Sequence, residues 1–237
     1  MKKKDERAII QVVIATGISS VVTQLLTVRE FLTQFQGNEI VIALILFNWL
    51  TLGGLGTLIA SFITKRFWPA TITRLGWLSL LLCGLCAIQI PAIRELRNVF
   101  FIHGSSVGFY PTWLFTFLVI APYCLLLGFA LPYSLFVLRA KNSDYPGTRI
   151  YITDNIGDIS GGALFSFALV YLLTPLQAIF LSNLPLLVTV YLLFANSPQP
   201  RLAVKLVMAL VCALFAAGVF FEIKTLAPPE GKLIDYQ

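Results

Sequence analysis

Apolar residues run through this chain in long blocks, and the polar positions fall between the blocks rather than alternating within them. A helix needs about 20 apolar residues to cross a bilayer. Seven blocks are of that order: Ala8–Val28, Ile40–Thr64, Thr71–Ile90, Thr112–Leu138, Tyr151–Leu173, Leu176–Phe194 and Leu202–Phe221. Inside lipid every backbone N–H and C=O must be satisfied within the chain, so each block predicts a transmembrane α-helix. The ten-residue alternation that a membrane barrel needs is absent. The expected fold is therefore all-α, a polytopic helical bundle of about seven spans over residues 1–221, with a tail or linker at 222–237.

Composition agrees with the pattern. Of the 237 residues, 58% are hydrophobic and 12% charged, and the mean hydropathy is +0.86. Soluble domains carry about 25% charged residues, so the chain reads as an integral membrane protein whose first partner is the lipid bilayer. The net charge of +6 does not point to nucleic acid, because the basic residues are scattered over the connections. Their distribution sets the expected orientation through the positive-inside rule. With the N-terminus in the cytoplasm, twelve Lys and Arg fall on the inner side and five on the outer side, and seven spans put the C-terminus outside. Met1-Lys2-Lys3-Lys4 is similar to the start of a signal peptide, but the apolar run after it is too long and ends in no A-x-A-like site.

Small residues mark expected helix contacts. These are Gly53, Gly54 and Gly56 in the second span, and Gly157 with Gly161 as a G-x-x-x-G, followed by Gly162, in the fifth. Pro122 and Pro132 interrupt the fourth span and are candidates for a kink. On the outer side, Arg94 to Phe101 reads as a short surface helix.

Two polar clusters stand out. The first joins spans one and two: Gln24, Arg29, Glu30, then Gly37-Asn38-Glu39. Asn38 suits an N-cap, and Glu39 in the following turn suits the helix dipole. Two readings stand for it: an interfacial salt bridge plus a cap, or an Arg/Glu site at the outer mouth of a cavity. The second cluster is Asp154, Asn155 and Asp158 at the start of span five, on the expected cytoplasmic side. Asp154 and Asp158 are four apart and share a helix face. Carboxylates in or near hydrocarbon need a partner, a proton or water. Two close ones repel, so one holds a proton or both share a cation. Arg149, Lys65 and Arg66 are candidate partners. The readings are a buried polar network tying helices together, or a cation, polyamine or proton site. By this topology the two clusters lie on opposite sides of the membrane and do not form one pocket.

Nothing else suggests chemistry. Cys83 and Cys86 form a C-x-x-C, but no second pair or histidine cluster accompanies it, so all four cysteines (with Cys124 and Cys212) read as small buried helix residues. His103, the only histidine, reads as a solvated loop residue. No phosphate-binding loop, dinucleotide fingerprint or nucleophile elbow occurs. No catalytic motif, cofactor or metal site is expected.

Several motifs in order do resemble a known family. They are Gln24-Leu25-Leu26-Thr27-Val28-Arg29-Glu30-Phe31, Gln36-Gly37-Asn38-Glu39, Trp49-Leu50-Thr51-Leu52-Gly53-Gly54-Leu55-Gly56, Leu127-Gly128-Phe129-Ala130-Leu131-Pro132 and Tyr151 through Gly162. Together they resemble the membrane region of membrane-bound spermidine-synthase-like proteins, transporter-like domains fused to an aminopropyltransferase. The resemblance covers most of residues 8–221 and implies a soluble synthase-like domain after the helices, with Ala227 to Gln237 as the linker toward it. It carries over only Arg29, Glu30, Asn38, Glu39, Asp154, Gly157, Gly161 and Gly162, with no assigned roles.

Three functions follow as expectations. The leading one is a non-catalytic membrane subunit or anchor that holds a partner protein or C-terminal domain at the outer face, in a bacterial inner (plasma) membrane. The second is a polyamine or cation transporter using the Asp154/Asp158 face, which a water-filled cavity reaching Asp158 favours. The third is the membrane half of an aminopropyltransferase-like enzyme.

Overall fold

The computed structural model describes residues 3–35, 39–102, 107–140, 142–195 and 201–226. Asn38, His103 and the linker 227–237 lie outside them. Seven helices are long and apolar enough to cross a membrane: α1 (Lys3–Gln34), α2 (Glu39–Arg66), α3 (Ile72–Phe100), α4 (Phe109–Arg139), α5 (Gly147–Leu172), α6 (Pro175–Ala195) and α7 (Arg201–Leu226). Among the described residues there is no strand. The protein is a membrane-embedded all-α bundle.

Two boundaries and one internal segment differ from the hydropathy pattern. α3 runs unbroken through Pro91 to Phe100, so residues 94–100 extend the third span instead of forming a separate surface helix. The extension is held by α1: Arg94 forks onto Glu30, and Arg97 Nε donates to the Gln34 carbonyl at 3.2 Å, satisfying an acceptor at the C-terminal end of α1. α7 continues to Leu226, into the stretch read as tail. In α5, Phe165–Leu169 adopts π geometry.

Two parallel helix pairs organise the bundle. Hydrophobicity does not drive helices together in lipid, so contact depends on close packing. α1 and α5 meet through glycine. A Cβ on Gly157 would collide with the Ile14 carbonyl, one on Gly17 would stand 2.7 Å from the Asp154 carbonyl, and one on Gly161 would stand 2.7 Å from the Ile18 carbonyl. α2 and α4 meet in the same way, with Gly128 against the Gly53 backbone and Gly56 against the Leu125 carbonyl. Along α1–α5 contact advances from Ile14 with Gly157 to Ile18 with Gly161, and along α2–α4 from Asn48 with Thr116 to Thr57 with Gly128, so the members of each pair run parallel. The end of the bundle that holds Lys3 is called proximal below, and the opposite end distal.

α3 and α6 close the core behind these pairs, and α7 packs on α3 and α6 at the periphery. At the proximal end Tyr133 joins α4 to the α2–α3 turn. Its hydroxyl accepts from the Thr71 N–H at 3.2 Å and donates to the Pro69 carbonyl at 3.3 Å. Thr71 in turn caps α3, its side chain accepting from the Arg74 N–H. Proline inside α4 has a local remedy. Pro132 cannot donate to the carbonyl four residues back, that of Gly128. Thr57 on α2 donates to that carbonyl instead, at 3.0 Å.

Candidate functional site

A polar cavity of about 380 Å³ lies between the two parallel pairs, with part of α3 as its proximal wall. Asp154 and Asp158 of α5 reach it, both half-buried. Because they are one turn apart, their Cβ atoms are about 5–6 Å from each other. Gly17 and Gly157 set this position: the α1–α5 backbones are close enough that the carboxylates enter the cavity beside α1 rather than beyond it.

α1 supplies the facing polar stripe. Thr16, Ser20 and Gln24 recur every four residues and all line the cavity. From Thr16 to Gln24 the helix rises about 12 Å, so the cavity extends over several turns. Ser20 Oγ donates to Asp158 Oδ1 at 3.4 Å and to the Gly17 carbonyl at 2.9 Å. Across the cavity stand Thr57, Ser79 and Ser134, and toward the distal end the indole of Trp49.

Among the described residues that line it, none is Lys, Arg or His. Two of the three basic groups expected to neutralise the carboxylates make other contacts. Arg149 lies 3.8 Å from Glu6 and stacks over Tyr145 with 5.9 Å to the ring centroid. Arg66 stacks over Phe67 at 5.7 Å. The side chain of Lys65 lies outside the described residues. Asn155 is exposed on another face of α5 and does not line the cavity.

The first polar cluster divides. Gln24 belongs to the cavity, and Glu30 to a separate structure. Glu30 is 4% exposed, and it holds Arg94 in a two-pronged contact, Nε to Oε1 at 2.7 Å and Nη2 to Oε2 at 2.9 Å. Gln34 Nε2 donates to the same carboxylate at 3.3 Å. The ion pair is thus between helices and uses Arg94. Arg29 is exposed, as is Glu39 at the start of α2. Neither Glu30 nor Glu39 lines the cavity, so the two carboxylate clusters remain apart.

The predicted packing glycines also divide. Gly56, Gly157 and Gly161 sit against a neighbouring backbone, and Gly53 is the surface on which Gly128 rests. Gly54 faces open space, and Gly162 makes only ordinary contact with Val21. Cys83, Cys86 and Cys124 are buried, whereas Cys212 is exposed on α7. Thr16, Ser20 and Thr57 were not singled out by sequence. The four-residue repeat of Thr16, Ser20 and Gln24 was the signal that would have found the α1 stripe.

A second cleft of about 400 Å³ runs between α2, α3 and α4, past Ile59, Trp68, Leu85 and Pro122. None of the described residues that line it is ionisable. Among the described residues no group of three or more His, Cys, Asp or Glu side chains converges. Compared with known proteins, the chain matches no family model, no curated sequence and no solved structure at a significant level.

Proposed function

We propose that the cavity binds a small organic cation, an amine or polyamine, and that the protein carries it across the membrane. One observation carries this reading: Asp154 and Asp158 enter a cavity among apolar helices, and none of the described residues that line it is basic. An unneutralised carboxylate in hydrocarbon is costly and calls for a cation, a proton or water. The remaining lining suits an alkylamine. Ser20 and Gln24 add oxygen acceptors, Trp49 offers a ring face for a cation, and Leu127 and Leu131 offer apolar walls for methylenes. The volume lies within the about 300–1,000 Å³ range of small-molecule pockets.

The test is saturable binding of radiolabelled putrescine and spermidine to detergent-purified protein, followed by uptake into proteoliposomes. Binding is expected in the wild type and expected to fall at least about tenfold, roughly 1.4 kcal/mol, in Asp158→Asn. Asp154→Asn lowers it less, and Glu30→Gln leaves it unchanged because Glu30 stands outside the cavity. Failure of both amines to bind saturably sinks the reading.

A second reading, a non-catalytic subunit or anchor for a partner at the outer face, draws on α7. Its apolar window is only 17% buried within the chain, and it packs at the edge of the bundle. Intact-mass analysis of the protein from its native membrane separates the two. A stoichiometric partner protein favours the anchor. A native mass well above 26.3 kDa favours the membrane half of a synthase-like enzyme.

A further inference from the structure

The apolar cleft between α2, α3 and α4 leads to two arginines. Its α3 wall is Leu78, Leu81 and Leu85, whose spacing puts them on one helix face. Arg74 stands four residues before Leu78 and continues that stripe toward the proximal end. The α2 wall is Ile59 and Ile63, and Arg66 continues it by the same rule. Trp68, in the α2–α3 turn, lines the cleft at this end, and the Arg74 guanidinium lies over its ring, 5.5 Å from the centroid. Packing fixes this corner. Trp68 meets Phe129 of α4 with ring centroids 6.1 Å apart, Tyr133 ties the same turn to α4, and Arg74 Nη1 donates to the Pro69 carbonyl at 2.8 Å.

The cleft opens on the outside of the bundle, because Ile59, Leu81 and Pro122, one from each of its helices, are all exposed. In a bilayer, a groove in that surface meets acyl chains and not water. From Leu78 to Leu85 its wall rises about 10 Å, which suits a stretch of extended chain. The mouth decides which lipid fits. Among the described residues neither Arg66 nor Arg74 pairs with a carboxylate. A guanidinium carries five N–H donors in a fixed fork that matches phosphate oxygens, and Trp rings favour the headgroup level. Basic groups beside an apolar groove match an anionic phosphodiester joined to an acyl chain. A second copy seated symmetrically on the same face would instead bring arginine against arginine.

We propose that this cleft binds one anionic phospholipid, with an acyl chain between α2, α3 and α4 and the phosphate on Arg74 and Arg66. The site is distinct from the acidic cavity, and its test needs no amine. The chain is reconstituted in phosphatidylethanolamine vesicles containing a small fraction of phosphatidylglycerol brominated on its acyl chains. Bromine quenches tryptophan emission at short range, and the share of quenching that disappears in Trp68→Phe reports the cleft. At equal mole fraction, brominated phosphatidylglycerol is expected to quench this share several-fold more than brominated phosphatidylethanolamine. Arg74→Gln is expected to remove the preference. Arg7→Gln, which deletes an exposed charge at the same end of the bundle on α1, leaves it unchanged. Equal quenching by the two lipids overturns the proposal, and that comparison does not depend on an arginine variant folding. A preference that survives Arg74→Gln, or that falls as far in Arg7→Gln, also overturns it. Absence of Trp68 quenching by either lipid marks a cleft covered by protein and overturns it as well.

Discussion

Gly157 and Gly54 are both helical glycines, yet their neighbours make them opposites. At Gly157 a methyl group meets the Ile14 carbonyl, a backbone atom that cannot swing aside. Gly157→Ala is therefore expected to cost about 1–3 kcal/mol through overpacking, read as a lower unfolding temperature in detergent. Gly54 faces open space, and Gly54→Ala is expected to gain about 0.5–1 kcal/mol from helix propensity. Equal effects at the two sites remove backbone contact as the organising feature of the α1–α5 seam. Glu30 gives a third test. Glu30→Gln keeps the shape but leaves the Arg94 charge without its carboxylate, and the expected loss is about 1–3 kcal/mol, reduced by the 31% exposure of the Arg94 side chain. Asp154, Asp158 and Glu30 were legible in the sequence because carboxylates inside apolar blocks are rare and conspicuous. Arg94 as the partner of Glu30 was not legible. Hydropathy places the end of the third span at Ile90, and only the packing of α1 on α3 carries the helix on to Arg94.

At the scale of the helix, Thr57 and Pro132 form a unit that neither element explains alone. Pro132 leaves the Gly128 carbonyl without its donor four residues on, and Thr57 fills that role from α2. Thr57→Val is expected to cost about 0.5–1.5 kcal/mol. Pro132→Ala restores a main-chain donor, so Thr57→Val in that background is expected to cost less. A double-mutant cycle of unfolding temperatures measures the difference, and additive effects reject the coupling. The proline was visible in the sequence as a candidate kink, but its remedy was not, because Thr57 lies on another span. The π turn at Phe165–Leu169 likewise has no signature in the hydropathy pattern, since the residues on either side are equally apolar.

Across the whole molecule, the seven spans were readable because lipid imposes one strong requirement, about 20 apolar residues per crossing. Which spans touch was not readable. The two pairs are made by backbone contact at Gly17, Gly56, Gly128 and Gly157, and a glycine in a membrane helix looks the same in sequence whether it faces a neighbour or open space, as Gly54 does. The charge asymmetry predicts that the proximal end faces the cytoplasm. In a variant with its native cysteines replaced, a cysteine at Ser143 in the α4–α5 connection is expected to react with a membrane-impermeant maleimide only after inside-out vesicles are prepared. Labelling from outside whole cells reverses the orientation. The pairing of α1 with α5 also sets a schedule for synthesis. The first helix enters the membrane long before the fifth is made, and three other spans must be inserted in between. Throughout that interval the groove along Ile14, Gly17 and Ile18 has no occupant, and the two aspartates that complete the cavity have not yet arrived. A nascent chain halted before Gly147 thus leaves its oldest helix with an open face, a target for chaperones and proteases that disappears only when the fifth span docks.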